Sequence, residues 1–322
     1  MRIVFFGTPE FAVPSLAALL EAGHQVACVV TQPDRPCGRH RHLAAPPVKE
    51  FAAARGLRVL QPGRANDPAF VRRLAELAPD AIVVAAFGQK LGRRLLRLPP
   101  HGCINVHASL LPRHRGAAPV PHAILAGDAE TGVTIMLMAP RIDAGDIILQ
   151  EATPIGPRET AGELSARLAE LGACLLVKAI ARIAEGKATP VPQDHRLATF
   201  APALDKGDGA IPWRRPAAWL ARFVRAMAPW PGAFTFWHRP AAPPLRLVIH
   251  AAEAVAGEAA QPGRVAAVDC DRIAVETGDG VLHVLALQPA GKRAMSAAEF
   301  LRGHCVAPGH VLGPASPPGD SP

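Results

Sequence analysis

Along the first 188 residues, short unbroken apolar runs alternate with stretches whose apolar positions recur every three or four residues. That is the pattern of buried strands covered by helices. Ile3–Phe6, Val26–Thr31, Arg58–Leu60, Ala81–Ala86, Cys103–Val106, Val133–Met138 and Ile147–Gln150 predict strands. Between them Pro14–Ala22, Pro47–Arg55, Pro68–Leu77 and Ala117–Ala126 predict helices, three of them opening near a proline that suits a first helical turn. The alternation predicts an α/β domain built on a parallel sheet. A longer helix is predicted over Thr160–Glu185, with Leu164, Leu168, Leu171, Leu175, Ala179 and Ile183 on one apolar face and Gly186 ending it.

The pattern then changes. Thr189-Pro190-Val191-Pro192-Gln193 and the polar run to Asp208 predict a linker stiffened by its prolines. Beyond it come one helix, Pro216–Met227, and the short strand-like runs Ala233–Trp237, Leu245–His250, Arg264–Val268, Ile273–Thr277 and Val281–Leu287. Short strands with turn signals such as Gly278-Asp279-Gly280 predict a small antiparallel barrel. From Pro308 the chain is rich in Pro, Gly and Ser, which predicts a disordered tail. The expected division is therefore a domain at 1–188, a linker at 189–208, a barrel at 209–307 and a tail at 308–322.

Length and composition fit this reading: 322 residues, 49% hydrophobic, are enough for two cores and exclude disorder for most of the chain. No run of 18 apolar residues occurs and the apolar start, Ile3–Phe6, is too short for a signal peptide, so a cytoplasmic protein is expected. The six cysteines have neither CxxC pairs nor histidines at zinc-ligand spacing, so reduced thiols and no bound metal are expected. Cys28, Cys103 and Cys174 lie in apolar runs and are expected to be buried. The net charge of +8 favours a polyanionic partner. Gly209–Ala252 holds no acid but carries Arg214, Arg215, Arg222, Arg225, Arg239, Arg246 and all four tryptophans, which suits either nucleic acid or a tryptophan-filled core.

Three features carry candidate chemistry. Asn105 and His107 stand two apart at the end of a predicted strand, which puts both side chains on one face where ligand crevices of parallel sheets form. An amide donor beside an imidazole can hold an oxyanion and move a proton, although strand-end Asn and His also serve as turn residues. Asp143, in Arg141-Ile142-Asp143-Ala144-Gly145-Asp146, can orient His107, or can simply belong to a hairpin turn. Gln32–Leu43 holds three arginines, two histidines and one acid in twelve positions; it must be an exposed loop, either solvated or paired with phosphates. After Gly7 there is no G-x-G-x-x-G spacing, which disfavours dinucleotide binding.

Together the segments Phe5–Phe11, Gln32–Arg39, Cys103–Arg113, Arg115–Pro119, Gly127–Met136, Ile142–Asp146, Pro229–Gly232 and Leu287–Lys292 resemble the methionyl-tRNA formyltransferase family, within the larger group of 10-formyltetrahydrofolate-dependent formyltransferases. The resemblance implies a Rossmann-like formyltransferase domain followed by an OB-like β-barrel; a monomer is expected. It implies that Asn105 and His107 polarise the formyl carbonyl while Asp143 orients His107. It further implies that Ser109, Leu110, Leu111 and Pro112, with Phe87, Gly88 and Leu91, bind the folate co-substrate, and that Arg39, His40, Arg41, His42, Arg214 and Arg215 contact initiator tRNA. The alternative acceptors within the group are an amino sugar or glycinamide ribonucleotide. Ala108, His114, Phe87, Pro140 and Arg141 depart from the family's usual residues.

Overall fold

The computed structural model describes residues 1–37, 42–240, 242–258 and 260–315. They fall into two units: 1–120 with 129–155 and 164–203, and 121–128 with 156–163 and the chain from Leu204 onward.

The first unit is a sheet with helices. Its elements are β1 (Arg2–Gly7), α1 (Val13–Glu21), β2 (Gln25–Val30), β3 (Arg35–Cys37), β4 (His42–Ala44), α2 (Pro47–Ala53), β5 (Val59–Leu60), α3 (Pro68–Ala75), β6 (Ala81–Ala85), α4 (Arg93–Leu96), β7 (Cys103–His107) and β8 (Arg115–Gly116). After them come α5 (Pro119–Ala126, mostly in the second unit), β9 (Glu130–Leu137), β10 (Ile147–Pro154), α6 (Ala161–Ala184) and β11 (Phe200–Ala201). The main sheet runs β10-β9-β7-β6-β1-β2-β5. β1, from Ile3 to Phe6, and all of β6 are fully apolar and buried, as strands covered on both faces must be. α3 starts sharply because Asp67 accepts hydrogen bonds from the amides of Ala69 and Phe70 while Pro68 supplies the first turn.

The predicted parallel sheet is formed by β5, β2, β1, β6 and β7. β9 is antiparallel to both β7 and β10. A short loop can join only antiparallel neighbours, and β9 and β10 are joined by one. Gly172 of α6 lies where a Cβ would come within 2.9 Å of Val106, so this helix packs tightly over β7. Cys28 and Cys103 are buried, and burial pushes their thiols up to about 11 and about 12. Cys174, expected inside, is exposed, because it stands between the positions that form the apolar stripe of α6.

The stretch expected to be a linker belongs to this unit as far as Ala203. Val191 pairs with Ile147 through both backbone hydrogen bonds, and β11 pairs in parallel with β8.

The second unit contains α7 (Ala217–Ala226), β12 (Ala233–His238), β13 (Leu245–Val255), β14 (Val265–Val268), β15 (Ile273–Glu276), β16 (Val281–Pro289), β17 (Met295–Ser296), α8 (Ala297–Gly303) and β18 (Val311–Gly313). Strand order β14-β15-β16-β13-β12-β18, with an Arg264–Val311 bridge joining the ends, makes a nearly closed antiparallel barrel. β12 alternates buried and half-buried residues, as one inward face requires. Trp213 and Trp237 fill the barrel, their indole N–H groups donating to Thr235 Oγ1 and His310 Nδ1. Of the tail expected to be disordered, residues 308–315 instead supply β18, whose Leu312 is buried in the barrel, and 316–322 lie outside the described residues.

Candidate active site

The parallel strands deliver their C-terminal ends to one edge of the sheet. There Thr8, after β1, donates to the carbonyl of Phe87, after β6, and so does the Gln32 side chain, after β2. Next to β6, β7 delivers Asn105 and His107, which are 9% and 5% exposed. Among the described residues the Asn105 side-chain amide finds no hydrogen-bond partner, and it is not one of the fully enclosed unpaired polar atoms, so its N–H and carbonyl groups stay open to a ligand. His107 Nε2 donates to the carbonyl of His114 at 3.0 Å. With the ring proton fixed there, Nδ1 faces Asp143 Oδ2 at 3.7 Å.

Asp143 sits in the tight loop between β9 and β10, at a left-handed φ of +48°. Leu137 N–H donates to the carbonyl of Asp146 across that loop. Gly145 lies so close to the Leu137 carbonyl that a Cβ would stand 1.7 Å from its oxygen. Asp143 Oδ2 accepts from the amide of Gly116 at 2.8 Å. His114 and Gly116 therefore supply the two backbone groups that orient the His107–Asp143 pair. The His114 carbonyl makes this bond whatever the side chain, so His at that departure position leaves it intact.

Residues 114–116 are themselves held by the supposed linker. His114 N–H donates to Thr199 Oγ1 and Arg115 N–H to the Thr199 carbonyl. Arg115, 2% exposed, donates through its guanidinium to Gln193 Oε1 and His195 Nδ1. Burial and the nearby Arg141 pull the Arg115 pKa down, against the Asp143 carboxylate. Gln193 and Thr199 escape sequence reasoning because a proline-rich, aperiodic stretch carries no packing signal.

Residues 1–180 match the formyl transferase model and residues 203–305 the model of the formyl transferase C-terminal domain. The chain belongs to the formyl transferase family. It is 49% identical to the methionyl-tRNA formyltransferase of Moorella thermoacetica over 97% of this chain and 99% of that protein. It is 48% identical to that of Myxococcus xanthus over 96% of each. Among solved structures, the sugar 3N-formyl transferase WlaRD has the same fold, with a TM-score of 0.63 at 18% identity over 91% of this chain and 99% of that one.

Of the family segments expected to hold folate, Ser109–Pro112 follows β7. Thr134 Oγ1, on β9 beside His107, donates to the Ser109 carbonyl at 2.6 Å and accepts from Leu111 N–H at 3.1 Å. Gln150 Nε2 donates to the Leu111 carbonyl and to Thr134. Leu110 and Pro112 are half-buried, whereas Ser109 and Leu111 are buried. Phe87 and Leu91 belong to the core, Phe87 edge-on to Phe6, while Gly88 is exposed at φ +89°. Of the expected tRNA contacts, Arg39, His40 and Arg41 lie outside the described residues. The loop root is a β3–β4 hairpin that begins its second strand at His42. Below it Asp34 accepts from Gln61 and Lys49, bonds that hold its carboxyl under the usual range. Arg214 and Arg215 are exposed in the second unit, Arg215 lying over Trp219 at 4.7 Å. Among the described residues no cluster of three His, Cys, Asp or Glu is placed to hold a metal, and no helix is long and apolar enough to cross a membrane.

Proposed function

We propose that this protein transfers the formyl group of 10-formyltetrahydrofolate to the α-amino group of initiator methionyl-tRNA, with Asn105, His107 and Asp143 as its catalytic residues. The observation that carries the reading is an unpartnered, nearly buried Asn105 amide two residues from an imidazole that faces a carboxylate. Such a set is suited to a carbonyl that becomes an oxyanion. The neutral amine attacks the formyl carbon, and Asn105 and His107 hold the developing negative oxygen. Asp143 keeps His107 in place and helps take the proton that the amine loses. Collapse of the tetrahedral species breaks the bond from carbon to the folate nitrogen, which leaves protonated as tetrahydrofolate, and forms the amide.

In this reading residues 1–188, with the following segment to 203, form the catalytic domain, and 209–307 form a domain that binds tRNA. The folate is held by Ser109, Leu110, Leu111 and Pro112 and by Phe87, Gly88 and Leu91. Because the Phe87, Leu91 and Leu111 side chains are buried, these three act through their backbone. Arg39, His40, Arg41, His42, Arg214 and Arg215 contact the tRNA. The enzyme works in the cytoplasm as a monomer. The test is incubation with 10-formyltetrahydrofolate and, separately, initiator methionyl-tRNA, elongator methionyl-tRNA, a nucleotide-linked amino sugar and glycinamide ribonucleotide. Formylated initiator methionyl-tRNA as the dominant product is expected; a formylated sugar or ribonucleotide in its place refutes the acceptor.

A further inference from the structure

Resting on the formyl-transfer reading above, we infer that Gln193 is a positioning residue for that reaction, acting through the loop that carries Asp143. Gln193 lies in a segment with no regular structure of its own, yet it is 7% exposed and all its amide atoms are engaged. Nε2 donates to the carbonyl of Asp143 at 2.9 Å and to that of Gly145 at 2.7 Å. Oε1 accepts from Arg115 Nε at 3.1 Å and Nη2 at 2.5 Å. One residue further on, Gly116 N–H donates to the Asp143 carboxylate.

These bonds close a ring around Asp143. Gln193 grips its backbone, Gly116 grips its side chain, and Arg115 links the two grips. Such a ring suits the left-handed backbone of Asp143, which a non-glycine residue keeps only when its surroundings fix it. It also sets the separation of 3.7 Å between carboxylate and imidazole, just beyond direct hydrogen-bond reach, so a small displacement decides how strongly the pair engages. The site requires donors toward two carbonyls and an acceptor toward a guanidinium, which one side-chain amide supplies.

Gln193→Glu separates these functions. It keeps an acceptor toward Arg115, now as an ion pair in place of the neutral hydrogen bond, but loses both donors and sets a carboxylate against two carbonyls. Gln193→Met, similar in length and uncharged, removes donors and acceptor together and serves if the Glu variant does not fold. Either change should lower kcat roughly 10- to 100-fold, as a displacement of about 1 Å can, with the KM for each substrate within about threefold. Combined with Asp143→Ala, the same change should cost less than about threefold, because the group it positions is gone. The pH profile of kcat in the Gln193 variants should approach that of Asp143→Ala. Wild-type turnover retained in the variants, or an equal loss with and without Asp143, overturns the inference. A wild-type protein that formylates none of the acceptors overturns the formyl-transfer reading instead.

Discussion

Replacing Asp143 by Asn keeps the side chain's shape, and its amide oxygen can still accept from Gly116 N–H, so the loop has no reason to unfold. What disappears is the charge facing His107. At the 3.7 Å between Oδ2 and Nδ1, two unit charges at an effective dielectric of about 20 interact by about 4.5 kcal/mol. The Asp143 side chain is 14% exposed, so solvent screens part of this. Retaining half to all of it corresponds to roughly 50- to 2,000-fold in rate, at about 1.4 kcal/mol per decade. We therefore expect Asp143→Asn to lower kcat by about 100- to 1,000-fold, with the KM for the formyl donor changed less than about threefold. Single-turnover formylation of limiting methionyl-tRNA at saturating donor measures the chemical step, and near-UV circular dichroism checks the fold. A folded variant within about fivefold of wild type would refute the electrostatic argument and leave Asn105 and His107 to act alone.

Thr134→Val removes a hydroxyl that bonds the Ser109 carbonyl and the Leu111 amide at a fully buried position, while keeping the shape. It should cost about 2–4 kcal/mol in urea unfolding and raise the KM for the folate more than that for the tRNA; a loss under about 0.5 kcal/mol counts against it. Arg39→Ala should cost about 1–3 kcal/mol and relax the preference for initiator over elongator methionyl-tRNA at fixed ionic strength. Arg41→Ala should instead reduce the salt slope of binding by roughly one unit or less with the preference kept. Unchanged activity and preference in the Arg39 variant would move tRNA selection to Gly209–Ala252.

The central strands were readable because a strand buried on both faces must be apolar throughout, as Ile3–Phe6 and Ala81–Ala85 are. Asn105 and His107 were readable as a pair because a strand's period of two puts them on one face. Asp143 was not: 36 positions separate it from His107, and only the family resemblance joined them. Strand direction was hidden in β9 and β10, since an apolar run reads the same both ways. α8 had a signal that passed unused, the Ser296–Glu299 capping box. β8 and β11, two residues each, and β18 in a Pro- and Gly-rich tail are too short to show a period. The side chains that set the site, Thr134, Arg115, Gln193 and Thr199, became visible only with hydrogen bonds in view, because each works through groups distant in sequence.

The packing of residues 190–201 against β8 also decides where the chain can be divided. A fragment ending at Ala188, the boundary that composition suggests, retains Asn105, His107 and Asp143 and the whole main sheet. It discards Gln193, Thr199 and Ala201, and with them the bonds that hold Arg115, the amide of Ala118 and the loop of Asp143. Such a fragment keeps the right residues without the framework that aims them. A fragment ending after Ala203 keeps both. In grafting the first unit of this chain onto another module, the portable piece therefore extends some nineteen residues beyond the end of α6 at Ala184, and a junction placed in the proline-rich stretch cuts through the candidate site's own support.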